Sequence, residues 1–271
     1  MTIRRSPNRS PNRTPNMQSK SRVGSGGGST TGKAANFGSS GIGKVDLNYS
    51  ISNSSPNREY AVACSILVPV GKDSGEYEYV WAIVDDSTTN KMMRFRVLHQ
   101  AGSVFRIGCS YTNSTTVHYL STTDLNIGTE YRIIWQEEND STDRNLYING
   151  SLDINFSSSR ALPTMDTFSI GGTADTTPQY SSNLTVWDVA VYSKALSTTD
   201  IANDFNTPTQ LPYLAGDATV TSGDLEGHWP CNEASGNFID YSTHSLDLVA
   251  SGTINYEQVV NSFITQPRAV S

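Results

Sequence analysis

The chain has 271 residues, of which 36% are hydrophobic and 17% are charged. This length suits one large domain or two small ones. No stretch approaches the roughly 18 apolar residues of a membrane-spanning helix, so we expect no membrane insertion. The N-terminus has no apolar signal-peptide core, and we therefore expect synthesis in a cytoplasm without a secretion signal.

Charge divides the chain into two parts. Residues 1–33 contain seven basic and no acidic side chains. The remaining residues carry twelve basic against 26 acidic side chains, a net charge of −14. This uneven distribution of charge indicates an acidic body that carries a basic arm, and it suggests that the arm has a binding partner of its own.

The first predicted segment, 1–33, is this arm and its tether. It contains three near-identical tetrapeptides with the pattern Arg-x-Pro-Asn, and a proline at every fourth position favours extended backbone. Gly24–Gly32 is predicted to be a flexible tether. Two interpretations stay open, an extended strap on an acidic surface or a disordered solubilising tail. The strap would anchor the protein through Arg4, Arg5, Arg9, Arg13, Lys20 and Arg22.

The body from residue 34 onward consists of short apolar or alternating runs between turn-rich stretches, which predicts an all-β chain. The predicted strands are Tyr60–Val68, Tyr77–Val84, Met92–His99, Val104–Tyr111, Thr116–Leu120, Tyr131–Trp135, Asn145–Ile148, Thr167–Ile170, Leu184–Tyr192, Leu225–Trp229, Leu246–Val249 and Thr253–Tyr256. Asn149-Gly150 is a strong hairpin signal. About a dozen strands predict a two-sheet antiparallel sandwich.

Alternation within a strand predicts which face of the sheet each side chain occupies. In the predicted strand Met92–His99, Met93, Phe95 and Val97 share one face, while the side chains between them lie on the other. Those intervening side chains include Arg94 and Arg96.

One short helix is predicted on the rim of the sandwich. Ser197 is a suitable N-cap and Asp200, three residues later, completes a capping-box pattern. Leu196 and Ile201 occupy the positions of a hydrophobic staple. The helix is expected to end before Pro208.

The three cysteines, Cys64, Cys109 and Cys231, lie far apart in apolar runs. They form no CxxC pair and no metal-binding spacing. We therefore predict buried free thiols, which fits folding in a reducing cytoplasm.

Four segments of the body carry a pattern known from other proteins: Gly128–Trp135, Asn145–Gly150, Phe168–Gly172 and Val189–Ile201. Together they resemble concanavalin A-like (laminin G-like) jelly-roll modules. The resemblance covers roughly residues 34–206 and implies a jelly-roll sandwich. It divides the chain into the arm (1–33), a jelly-roll core (34–210) and a C-terminal segment that adds strands to the sandwich (211–271).

A further segment, His228–Gly236, resembles the stretch that opens many such modules, although here it follows the helix. Either a circularly rearranged end or the start of a truncated second copy would explain this position. The position of this segment, late in the chain and after the helix, resembles the order of segments in lectin-like virion proteins of marine bacteriophages.

The resemblance also suggests where ligands would bind. Tyr111, Tyr180 and Trp187 are candidates for stacking on sugar rings. The oxygen-rich loops that hold Asp85, Asp86 and Asp175 are weak candidates for a calcium site, and no other cofactor is expected.

Catalytic patterns are missing from the sequence, so we expect no enzyme. Glucanases of this fold need a Glu-x-Asp-x-Glu strand, and neither Glu76-Tyr77-Glu78 nor the acidic run at 137–140 reproduces that spacing. The four histidines fall in separate elements, without a metalloprotease or serine-hydrolase motif.

The leading hypothesis is a virion structural protein, a capsid decoration or attachment protein anchored by its arm. Its partner would be the major capsid protein or another virion protein, its location the capsid surface, and its assembly a homo-oligomer, with a trimer as our guess. One alternative is a carbohydrate-binding adhesion module of a phage fibre that recognises a cell-surface glycan. Another is a coat protein whose arm binds packaged nucleic acid.

Overall fold

The computed structural model describes residues 30–261 apart from 39, 53–58, 69–76, 88–90, 101–103, 114, 139–142, 158–163, 178, 180–182 and 208–210. The described residues form fifteen strands and one α-helix. In chain order the strands are β1 (Thr30–Phe37), β2 (Ile42–Ile51), β3 (Tyr60–Leu67), β4 (Tyr77–Val84), β5 (Lys91–Gln100), β6 (Val104–Asn113), β7 (Thr115–Leu120), β8 (Glu130–Glu137), β9 (Asp143–Ile148), β10 (Ser151–Ser157), β11 (Met165–Ile170), β12 (Leu184–Tyr192), β13 (Leu225–Trp229), β14 (Val249–Ser251) and β15 (Ile254–Asn261). The helix, α1, spans Thr198–Asn206.

The strands form two antiparallel sheets, which confirms the predicted sandwich. The first sheet has the order β10-β9-β8-β3-β12-β1-β15, and β13 also pairs with β12. The second sheet has the order β14-β2-β11-β4-β5-β6-β7. Their inner faces meet in one core, where Phe95 of the second sheet contacts Trp135 of the first with ring centroids 6.1 Å apart.

The C-terminal strands belong to the same two sheets as the rest of the chain. β13 and β15 join the first sheet and β14 joins the second. Within the described ranges these strands therefore do not begin a second sandwich. β1 starts at Thr30, inside the segment predicted to be a tether, because its backbone pairs with β15 from Thr30 to Phe37.

The predicted hairpin and helix are both confirmed. Asn149 (φ 51°) and Gly150 (φ 75°) form the two-residue turn between β9 and β10, and both have the positive φ that a type I′ turn requires. Ser197 caps α1 and forms the reciprocal capping box with Asp200. Leu196 and Ile201 are buried with Leu211 and Val220 in a cluster beyond the inner core.

That cluster covers the outer face of the first sheet. It contains Ala61 and Ala63 of β3 and Ile134 of β8, which point away from the inner core. The helix and the segment that follows it therefore occupy this face. The outer face of the second sheet is covered in part by a smaller buried cluster, and it is open where β4–β7 form a groove. That cluster contains Ile42, Ala82, Val84, Met92 and Ala174.

A buried ionic network ties α1 to this sheet. The Arg132 guanidinium donates to both carboxylate oxygens of Asp204 at 2.7 and 2.9 Å, and it also contacts Asp188 Oδ2 at 2.8 Å. The second oxygen of Asp188 lies 2.9 Å from His228 Nε2. All four side chains are buried, so one arginine links β8, β12 and the helix.

The cysteines are buried and have free thiols, as predicted. Burial raises the pKa of Cys64 to about 12 and that of Cys231 well above its usual value. In the part of the chain that the structure describes, no helix has the length and apolar character needed to cross a bilayer.

Candidate functional site

The outer face of the second sheet presents a row of large polar and aromatic side chains. On β5 the buried residues Phe95 and Val97 face the core, so Arg94, Arg96 and Leu98 face outward. The registers then place Tyr77 beside Leu98, Tyr79 beside Arg96, and His118 beside Ser110, which neighbours Arg94.

Part of this face is an open groove of about 320 Å³, and Arg94 lies beside the groove, outside its lining. Gly108 pairs with both Arg96 and Leu120, and its lack of a side chain keeps the groove open between them. A Cβ at this position would lie 3.2 Å from Leu120 Cδ2. The residues that line the groove are Tyr77, Arg96, Leu98, Gly108, His118, Tyr119 and Leu120.

Arg96 is held at the centre of this site by two neighbours. Its guanidinium carbon lies 4.4 Å from the centroid of the Tyr77 ring, and Nη2 donates to His118 Nδ1 at 3.1 Å. Burial, together with the positive charges of Arg96 and Arg94, lowers the pKa of His118. The histidine is therefore neutral at pH 7, which suits its role as acceptor.

Arg94 has longer and weaker contacts. Its guanidinium lies 3.4 Å from Gln179 Oε1 and 3.4 Å from Thr112 Oγ1, while its Nε is buried with no hydrogen-bond acceptor among the described residues. The same Gln179 oxygen accepts from the Tyr79 hydroxyl. Within the described ranges, neither Arg94 nor Arg96 forms a salt bridge.

One acidic side chain lies near Arg94. Asp175 interacts electrostatically with Arg94, but its Oδ1 accepts from the Thr173 hydroxyl at 3.3 Å and from the Thr177 backbone at 3.2 Å. Burial raises the pKa of this carboxyl group above its usual value. The aspartate is thus bound into its own loop, and among the described residues it forms no salt bridge with Arg94.

Two of the predicted sugar-contact residues, Tyr111 and Trp187, are not at this site. Tyr111 is only 3% exposed, because its hydroxyl accepts from Trp135 Nε1 at 3.0 Å and the Arg144 guanidinium covers its ring. Trp187 is 1% exposed, within the core. Both predictions are wrong, since neither ring can stack on a ligand from solvent. Tyr180 and the six arm residues lie outside the described residues.

The predicted calcium ligands are not gathered into a site. The Asp85 carboxylate forms a salt bridge with Lys91 Nζ at 3.2 Å and accepts a hydrogen bond from the Ser87 hydroxyl. These partners hold the pKa of Asp85 below its usual value. Neither Asp85, Asp86 nor Asp175 joins a group of three or more His, Cys, Asp or Glu positioned for a metal, and the described ranges contain no such group.

The groove residues were missed because the sequence alone does not reveal which face of a sheet stays open. A signal was present, since alternation on β5 places Arg94, Arg96 and Leu98 together on the face opposite the core. What the sequence lacked was the information that α1 covers the other sheet.

No family model and no curated protein matches the chain. Solved structures do resemble it. A candidate carbohydrate-binding protein from Bacteroides ovatus matches 89% of this chain with a TM-score of 0.57 and 15% identity, and the match spans 62% of that protein. A heptameric SAP-like pentraxin from Limulus polyphemus matches 83% of the chain and 94% of its own length, with a TM-score of 0.55 and 12% identity. At these identities the similarity establishes a shared β-sandwich fold and nothing further.

Proposed function

We propose that the chain is a carbohydrate-binding module and that its ligand occupies the groove on the second sheet. The observation that carries the proposal is the composition of that groove. Tyr77 is 40% exposed and, with Leu98 and Leu120, offers apolar surface to the C–H face of a sugar ring. Arg96 and His118 supply polar groups for sugar hydroxyls in the same space.

The structural similarity supports this proposal at the level of fold. The Bacteroides ovatus structure, described as a candidate carbohydrate-binding protein, shares the sandwich over most of this chain. We propose a binding rather than a catalytic role, because the residues that line the groove include no carboxylate pair for glycosidic hydrolysis.

The substitution Tyr77→Ala tests the proposal. We expect it to weaken glycan binding about tenfold, equivalent to about 1.4 kcal/mol, because it removes the exposed ring and the surface against which Arg96 is held. Binding is measured by glycan array and then by titration calorimetry with the full chain.

Leu152→Ala is the matched control, because Leu152 is an exposed apolar side chain, 54% exposed, on β10 of the other sheet. It is expected to leave affinity unchanged. Failure of the full chain to bind any glycan would contradict the proposal, as would equal losses in the two variants.

We propose, as a second candidate function, that the N-terminal arm attaches this module to a virion or another larger assembly. The observation in favour is the charge distribution, with seven bases in residues 1–33 and a net charge of −14 on the remainder. An extended basic segment can bind along an acidic surface over many residues. Deletion of the arm, described in the Discussion, is the test.

A further inference from the structure

We propose that the glycan recognised in this groove carries a carboxylate-bearing sugar, and that Arg94 and Arg96 bind the carboxylate. The inference rests on the proposed carbohydrate-binding function and specifies the class of ligand. It follows from the charge and the hydrogen-bonding state of the two arginines.

The two guanidinium groups concentrate positive charge on one small area of an acidic protein. As residues i and i+2 of β5 they share a face, with Cα atoms about 7 Å apart. Among the described residues neither forms a salt bridge, and the nearby Asp175 is bound by Thr173 and Thr177. A ligand carboxylate would supply a negative charge to pair with these two arginines.

The available donors also suit a carboxylate. Arginine presents planar, parallel N–H groups that bind carboxylates through two hydrogen bonds. Arg94 has a buried Nε with no acceptor in the described part of the chain and two contacts as long as 3.4 Å. Small movements of this side chain would exchange those weak contacts for short, charge-assisted bonds to a ligand.

The surroundings of Arg96 favour the same ligand. Stacking on Tyr77 fixes the Arg96 guanidinium. The neutral His118 ring accepts a hydrogen bond from it but does not balance its positive charge. The apolar groove residues Leu98 and Leu120 lie beside these groups. A ring with one anionic substituent therefore meets an apolar surface and cationic donors together.

The test compares glycans that differ only in the acidic group, using the full chain. The probes are sialyllactose against its neutral methyl ester, a glucuronic acid-terminated disaccharide against its glucose counterpart, and sulfolactose against lactose, together with a wider array of such pairs. We expect at least tenfold tighter binding to the carboxylated member of at least one pair. We also expect Arg94→Gln and Arg96→Gln each to reduce that preference at least tenfold.

Two further variants separate charge from geometry. Arg96→Lys keeps the charge but loses the planar donor pair, and it is expected to recover only part of the affinity. Lys44→Gln removes an exposed cation from β2 of the same sheet, and no effect is expected. Circular dichroism and thermal unfolding verify that each variant is folded.

The outcomes distinguish the inference from the proposed function. Equal binding of neutral and carboxylated glycans, lost in Tyr77→Ala, would overturn the carboxylate assignment and leave carbohydrate binding intact. Preference for sulfolactose alone would also overturn it. Absence of binding across the whole array would overturn both proposals.

Discussion

At the scale of single residues, the charged side chain of Arg132 connects three elements, β8, β12 and α1. Its guanidinium and both acidic partners are no more than 1% exposed, so the charges must compensate one another. The partners come from β12 and α1, far from β8 in sequence. The packing of α1 on the first sheet therefore depends on electrostatics as well as on apolar contacts.

Asp204→Ala is expected to destabilise the protein by about 3–5 kcal/mol, because it breaks a buried ion pair and leaves two buried N–H donors of Arg132 without their acceptors. Urea unfolding of the full chain measures this change. The control is Asp124→Ala, which removes one partner of the exposed Arg106–Asp124 pair, a 2.8 Å contact. Its expected cost is at most about 1 kcal/mol. Similar losses in both variants would contradict this account.

Tyr111 shows why the sugar-contact residues could not be predicted from the sequence. Its strand pattern is compatible with either face of a sheet. Its position in the core is stabilised by long-range partners, among them Tyr60, whose hydroxyl lies 2.9 Å away, and Arg144, which pairs with Glu137 at 3.0 Å. Local sequence does not encode such tertiary contacts, so an aromatic side chain in a strand is not evidence of a binding site.

At the scale of elements, strands with strong local patterns were predicted and those that depend on their neighbours were missed. β4, β12 and β13 have the bounds expected from their apolar runs. β1 contains only two alanines and one phenylalanine as apolar residues, and its extended form follows from pairing with β12 and β15. β10, an edge strand, was also missed, although Leu152, Ile154 and Phe156 alternate with polar side chains as in a strand with one apolar face.

The β9–β10 turn gives a prediction at the same scale. Gly150 has φ 75°, and a Cβ added there would lie 3.1 Å from the Phe205 ring of α1. Gly150→Ala is therefore expected to cost about 1–2 kcal/mol, from the left-handed backbone and from crowding. Gly216→Ala is the control, since Gly216 lacks positive φ and a Cβ there would meet nothing within 4 Å. If thermal unfolding shows equal stability for the two variants, the turn does not constrain the helix.

At the scale of the whole molecule, the two sheets have different surroundings. The outer face of the first sheet is covered by α1 and the segment around Leu211 and Val220. The outer face of the second sheet keeps an open groove that is lined by Arg96, and Arg94 lies two residues away on the same face of β5. If both proposed functions hold, glycan binding and attachment belong to different parts of the chain, the groove and the basic segment 1–33.

Deletion of residues 1–29 tests this separation, because it removes six basic side chains while keeping β1 from Thr30. We expect the shortened chain to melt within about 2 °C of the full chain, since the two sheets retain all their strands. Its glycan affinity is expected to be unchanged, since the groove lies on β4–β7.

By contrast, the shortened chain is expected to lose its ability to pellet with purified virion particles. Pelleting of the full chain is expected to weaken as added salt screens the charges of the arm. If the shortened chain pellets as well as the full chain, the arm is not the anchor; if it loses glycan binding, the two functions are not separate.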